Sequence, residues 1–240
     1  MDATVPARVR RDGRIRPRGW WFDGVLVLGF TGLTVALAGG LGAASRSGLL
    51  AADRAVRDWS DGHRPPVLDT VTTVANLLGR GGPLTTLSTV IAVVLAWRTR
   101  SARPLAPVAL AFGLTFAVLT ALKNLTDRAA PHAYRPPDSV PHPELLGSGG
   151  VSYPSGHLVN AIVWYGVLVL LLARWLPVPA RRLVRVVPAA VLTGSTVYLG
   201  FHWATDTLAG LVLGLLLERV LRRVFPVEPL PGRPATAAPG

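Results

Sequence analysis

Residues 24–44 read GVLVLGFTGLTVALAGGLGAA, twenty-one positions without one charged side chain. An α-helix rises about 1.5 Å per residue, and roughly twenty apolar residues cross the hydrocarbon core of a bilayer. The stretch follows Trp20, Trp21 and Phe22, an aromatic cluster suited to a membrane interface. Before that come Arg8, Arg10, Arg11, Arg14, Arg16 and Arg18, a basic arm over residues 1–19. The apolar run starts too late and runs too long for a cleavable leader, and no small-residue cleavage site closes it. A retained membrane span is expected.

Working outward, uncharged or nearly uncharged blocks recur at 83–97, 104–122, 158–176, 186–201 and 205–221. Segments 49–59 and 67–78 are amphipathic, interrupted by Asp53, Arg54, Arg57, Asp58 and Asp69, and read as interfacial helices on the outer surface. Half of the 240 residues are hydrophobic, mean hydropathy is +0.41, and 16% are charged. Soluble domains carry about a quarter charged residues. The expected fold is all-α, a polytopic membrane bundle of about six transmembrane helices with interfacial helices between the first and second. One six-span domain over 20–223 would lie between the basic arm and a disordered Pro/Gly/Ala tail at 224–240.

A net charge of +12 raises the question of nucleic acid. The arginines instead sit in short clusters between apolar blocks, so the bilayer is the expected partner. Absence of cysteine excludes disulfides, thiolate metal sites and cysteine nucleophiles. Six spans put both ends on one side, and 17 of the 25 Lys and Arg residues then share that side. Cytoplasmic loops are the basic ones. A multi-pass cell-membrane protein with both termini cytoplasmic follows, with 124–157 and the turn at His202 extracytoplasmic.

Three segments then meet one membrane face: 123–131, Tyr153-Pro154-Ser155-Gly156-His157, and 195–206. Together they hold the sole lysine, Lys123, and two of five histidines. A lysine ammonium is a point charge for a phosphate oxygen. Ser155, Gly156 and the amides opening the fourth span make an anion-binding helix terminus. His157 at that helix start is positioned to protonate a leaving oxygen. His202 and Asp206, four apart, share a face if their turn is helical, and a carboxylate-held imidazole is a stronger nucleophile. These parts suit phosphoryl transfer through a phosphohistidine without metal or other cofactor. Each has an ordinary reading too: a snorkelling lysine, an N-cap serine, a structural His–Asp hydrogen bond. His132 and His142 read as loop residues.

The three segments resemble the signature of the type 2 phosphatidic acid phosphatase family: Lys, six residues, Arg-Pro; Pro-Ser-Gly-His; then Ser-Arg, five residues, His, three residues, Asp. The resemblance covers roughly residues 67–218 and is anchored by Pro154-Ser155-Gly156-His157 and by His202-Trp203-Ala204-Thr205-Asp206. It implies His202 as nucleophile, Asp206 as its partner, His157 as general acid, and Lys123, Ser155 and Gly156 as phosphate ligands. The implied substrate is a lipid phosphate, and the chemistry needs no metal. Two family arginines are replaced, by Ala130 and Thr196. Each charge-assisted bond is worth about 1.5–3 kcal/mol, so a substitute is expected. Arg128 is the first candidate and Arg135 the second. Transfer to an alcohol instead of water, or a weakened lipid-binding member of the family, are the alternatives.

Overall fold

The computed structural model describes residues 19–132 and 144–226. Most of the basic arm, the tail from residue 227, Arg135 and His142 lie outside them. Eight α-helices follow one another: α1 (Trp20–Leu37), α2 (Ala43–Gly62), α3 (Pro66–Asn76), α4 (Gly81–Thr99), α5 (Leu105–Thr126), α6 (Gly156–Leu172), α7 (Val178–Tyr198) and α8 (Ala204–Val224). A 3₁₀ turn, Leu77–Gly79, joins α3 to α4. The described residues contain no strand, and the bundle is the all-α membrane fold expected.

Among the described residues, α1 and α5 have the length and apolarity to cross a bilayer alone. The pair α3 and α4, bent by 45° at their junction, makes a third candidate, and α6 is apolar but only 17 residues long. Helix α6 is the hub. Eleven of its residues are buried, which is what an uninterrupted apolar sequence requires when neighbours surround it on every side. It packs against α4, α5, α7 and α8.

Several helix boundaries differ from expectation, two of them for clear local reasons. The first span was expected to reach residue 44 but stops at Leu37, because Gly39 (φ 89°) and Gly42 (φ 97°) adopt backbone that ends a helix however apolar the sequence remains. Helix α7 was expected from 186 but starts at Val178, so Arg181, Arg182 and Arg185 are helical. Arginine is a good helix former, and Pro179 supplies the favoured first-turn proline.

Close approach of α6 and α8 positions the site. An added Cβ at Gly210 would lie 2.6 Å from the Ser155 carbonyl oxygen, and one at Gly214 would lie 3.2 Å from the Val159 Cα. Small residues let membrane helices meet backbone to backbone. Gly210→Ala is therefore expected to cost about 1–3 kcal/mol by overpacking. Thermal unfolding in detergent checks it.

Helix α1 is tied to the rest at both ends. Arg219 and Arg223 of α8 both pair with Asp23, and Arg219 also donates to the Gly19 carbonyl at 2.9 Å. Further along, the Thr34 hydroxyl meets the Tyr153 hydroxyl at 2.6 Å, gripping the strand of chain that leads into α6. Burial pushes the Tyr153 phenol up to about 12, so it stays protonated.

Candidate active site

Four chain segments converge at one end of the bundle. The C-terminal turn of α5 carries Lys123, and 150–155 leads through a cis Tyr153–Pro154 bond into α6. The turn 199–203 links α7 to α8, and the 3₁₀ turn enters α4. Between them lies a cavity of about 690 Å³, whose wall includes Arg80, Lys123, Ala130, Gly156, His157 and His202. Among the described residues, no carboxylate is in that wall. Two cations, two imidazoles and the amides opening α4 and α6 give it the character of an anion site.

His202 is buried and held in one orientation. Its Nδ1 lies 3.0 Å from the Ser152 carbonyl oxygen and 3.2 Å from the Ser152 hydroxyl. A carbonyl only accepts, so the ring proton belongs on Nδ1, and the Nε2 lone pair is left facing out. That Nε2 lies 3.3 Å from Nδ1 of His157, the two rings meeting edge to face at 71°.

Asp206 was expected to hold His202 across one helical turn. The turn is not helical: α8 begins at Ala204, with Trp203 as its N-cap. Asp206 Oδ2 is 3.9 Å from His202 Nδ1, and the connection runs through Ser152, whose hydroxyl donates to Oδ2 at 2.5 Å. The same oxygen accepts the Trp203 amide at 3.0 Å, fixing the start of α8. The coupling of carboxylate to imidazole is thus relayed by a serine that carried no signal in the sequence. Ser152→Ala is expected to lower kcat roughly 10- to 100-fold, the scale of one charge-assisted hydrogen bond. Steady-state phosphate release measures it.

Arg128 is placed elsewhere than expected. It does not line the cavity and is fully buried behind it. Its Nη2 donates to Asp53 Oδ2 at 2.7 Å, its Nη1 to Thr205 Oγ1 at 2.8 Å, and Nη1 also pairs with Asp206 Oδ1. Asp53, on α2, further accepts the Thr205 amide at 2.9 Å and the Thr205 hydroxyl at 2.6 Å. Burial pushes the Asp53 carboxyl upward, against the pull of Arg128 and the Thr205 hydrogen bonds. A guanidinium between two buried carboxylates is committed to them. Arg128 braces Asp206 instead of offering itself to an anion.

The remaining expected residues divide. Lys123 and Gly156 line the cavity, with the Lys123 ammonium donating to the Val151 carbonyl. Ser155 is fully buried and does not line it; its amide donates to the Asp206 carbonyl at 3.0 Å. Ala130, where the motif has arginine, is in the wall, whereas Thr196 is buried and its carbonyl accepts the Phe201 and His202 amides. His132 lies outside the cavity, 3.1 Å from Asp61; burial is the main cause of its lowered pKa.

With this geometry in place, the relatives are informative. A family model described as the PAP2 superfamily matches residues 104–228, more than half of the chain. The chain belongs to the PAP2 superfamily. Phosphatidylglycerophosphatase B of Bacillus subtilis (strain 168) is 42% identical over 86 residues, which is 34% of this chain and 41% of that protein. The match thus spans less than half of the relative's length. The crystal structure of the first transmembrane PAP2 type phosphatidylglycerolphosphate phosphatase, from Bacillus subtilis, superposes with a TM-score of 0.68 at 28% identity. That superposition covers 84% of this chain and 94% of the other.

Proposed function

We propose that this PAP2 protein is a membrane lipid phosphatase that works through a phosphohistidine on His202. The observation that carries the reading is the orientation of His202, with Nδ1 held against the Ser152 carbonyl and Nε2 turned toward His157 at 3.3 Å in a cavity walled by cations. Nε2 attacks phosphorus, an N–P bond forms, and the P–O bond to the lipid breaks as His157 protonates the departing oxygen. Water then attacks phosphorus, giving its proton to His157 while the N–P bond breaks and inorganic phosphate leaves. Lys123 and the amides from Gly156 onward stabilise charge on the phosphoryl oxygens. Because the two imidazoles contact each other, the phosphoryl group takes the place of that contact.

The basic-loop distribution supports six crossings with both termini cytoplasmic and the site at the extracytoplasmic face of the cell membrane. The names of the PAP2 relatives favour phosphatidylglycerol phosphate among candidate substrates. The test is phosphate release by the detergent-purified protein from phosphatidylglycerol phosphate, phosphatidic acid, and polyprenyl phosphate and diphosphate, with a chelator present. Release from at least one lipid is expected. No release from any of them rejects the reading.

A further inference from the structure

Replacement of two motif arginines leaves the phosphate site short of guanidinium groups, and Arg128 is committed to Asp53 and Asp206. Among the described residues, one arginine does line the cavity. Arg80 sits at the junction of the 3₁₀ turn and α4, as the residue preceding the first turn of α4. It is the sole charge in the 28 residues from 70 to 97. Ionisable residues set in apolar membrane segments are costly unless they serve a purpose. Among the described residues Arg80 pairs with no carboxylate, whereas Arg57, Arg64, Arg128, Arg185 and Arg219 all do.

The backbone around Arg80 is shaped to hold it there. A Cβ at Gly79 would lie 3.1 Å from the His157 Cβ and 2.9 Å from Leu192, and one at Gly81 would lie 2.6 Å from Nδ2 of Asn160. Glycine on both sides thus brings the 79–81 backbone against the first turn of α6, where His157 and Asn160 face the same cavity. At Ala130 the wall carries a methyl group where the motif has arginine.

We infer that Arg80 is the phosphate-binding guanidinium of this site, supplied from the α3–α4 junction in place of the arginine missing at position 130, with the Asn160 amide beside it. This rests on the phosphatase reading for its substrate but not for its anion, because the same cation would hold inorganic phosphate or orthovanadate.

Arg80→Ala and Arg80→Gln, each with and without Ala130→Arg, would be compared with the wild type after equal elution and thermal unfolding in detergent. Arg80→Ala is expected to lower kcat/KM roughly 10- to 100-fold and to weaken orthovanadate inhibition in parallel. Arg80→Gln should behave likewise, and Ala130→Arg should return at least part of both losses. Unchanged kinetics and vanadate inhibition in Arg80→Ala would overturn the inference. So would a fall in rate that leaves vanadate inhibition intact, since the loss then lies outside anion binding. If the wild type releases no phosphate from any lipid, the phosphatase reading falls by itself. Thermal stabilisation by orthovanadate then decides on Arg80, supporting it if lost in Arg80→Ala and overturning it if retained.

Discussion

Phosphate release by His202→Ala is expected to fall by on the order of a thousandfold or more, because on the proposed mechanism removing this imidazole removes the intermediate itself. The protein should remain folded. His202 touches Ser152 and His157 but carries no part of the buried Arg128 network, and the turn is held independently by the Thr196 carbonyl and the Trp203 indole, which donates to the Ala129 carbonyl at 2.8 Å. A radiolabelled lipid phosphate should leave acid-labile label on the wild type during turnover and none on the variant. His157→Ala should differ in kind. Its deficit should shrink for a substrate whose leaving group needs no proton, such as p-nitrophenyl phosphate, while that of His202→Ala should not. Equal release by wild type and His202→Ala would sink the phosphohistidine mechanism.

The second large effect is on folding. Arg128→Ala leaves Asp53 and Asp206 buried side by side with their shared cation gone, an arrangement that costs about 3–5 kcal/mol. Burial already pushes the Asp53 carboxyl upward, and without the guanidinium only the Thr205 hydrogen bonds oppose that push. A carboxyl whose folded pKa lies above its unfolded value destabilises the fold as pH rises through the folded value, and is harmless below the unfolded one. The instability of Arg128→Ala should therefore be smaller at mildly acidic than at mildly alkaline pH. Thermal unfolding across that range measures it. Arg128→Lys retains the charge but not the two-pronged geometry, so it should fall between the variant and the wild type. Were Arg128 a phosphate ligand, its removal would raise KM and leave the unfolding temperature alone.

The contrast between these two residues shows where the sequence was readable. His157, His202 and Lys123 stand in motifs whose spacing places them at helix ends on one face, and the cavity gathers all three. Arg128 lies in the same segment as Lys123, but its fate depends on Asp53, 75 residues earlier, on a helix that reads as amphipathic and interfacial. No local pattern announces that pairing. Ser152 was equally silent, since a serine in a Gly/Ser-rich loop resembles any other until its hydroxyl is seen between Asp206 and His202. Arg80 did leave a trace, as a lone charge flanked by glycines within an apolar stretch. The helices themselves were legible from hydropathy. Their ends were not, where Gly39 and Gly42 stop α1 early and where arginines thought to mark a loop prove to be helical in α7.

The contacts of Asp53 bear on how such proteins are engineered and compared. The family model's match starts at residue 104, yet this aspartate reaches in from α2 to hold both Thr205 and Arg128. A chimera that keeps the C-terminal half of this chain but takes α2 from a donor without a matching acid is therefore expected to lose stability. In this chain the two halves are bolted together through one buried acid, so neither is a free-standing module.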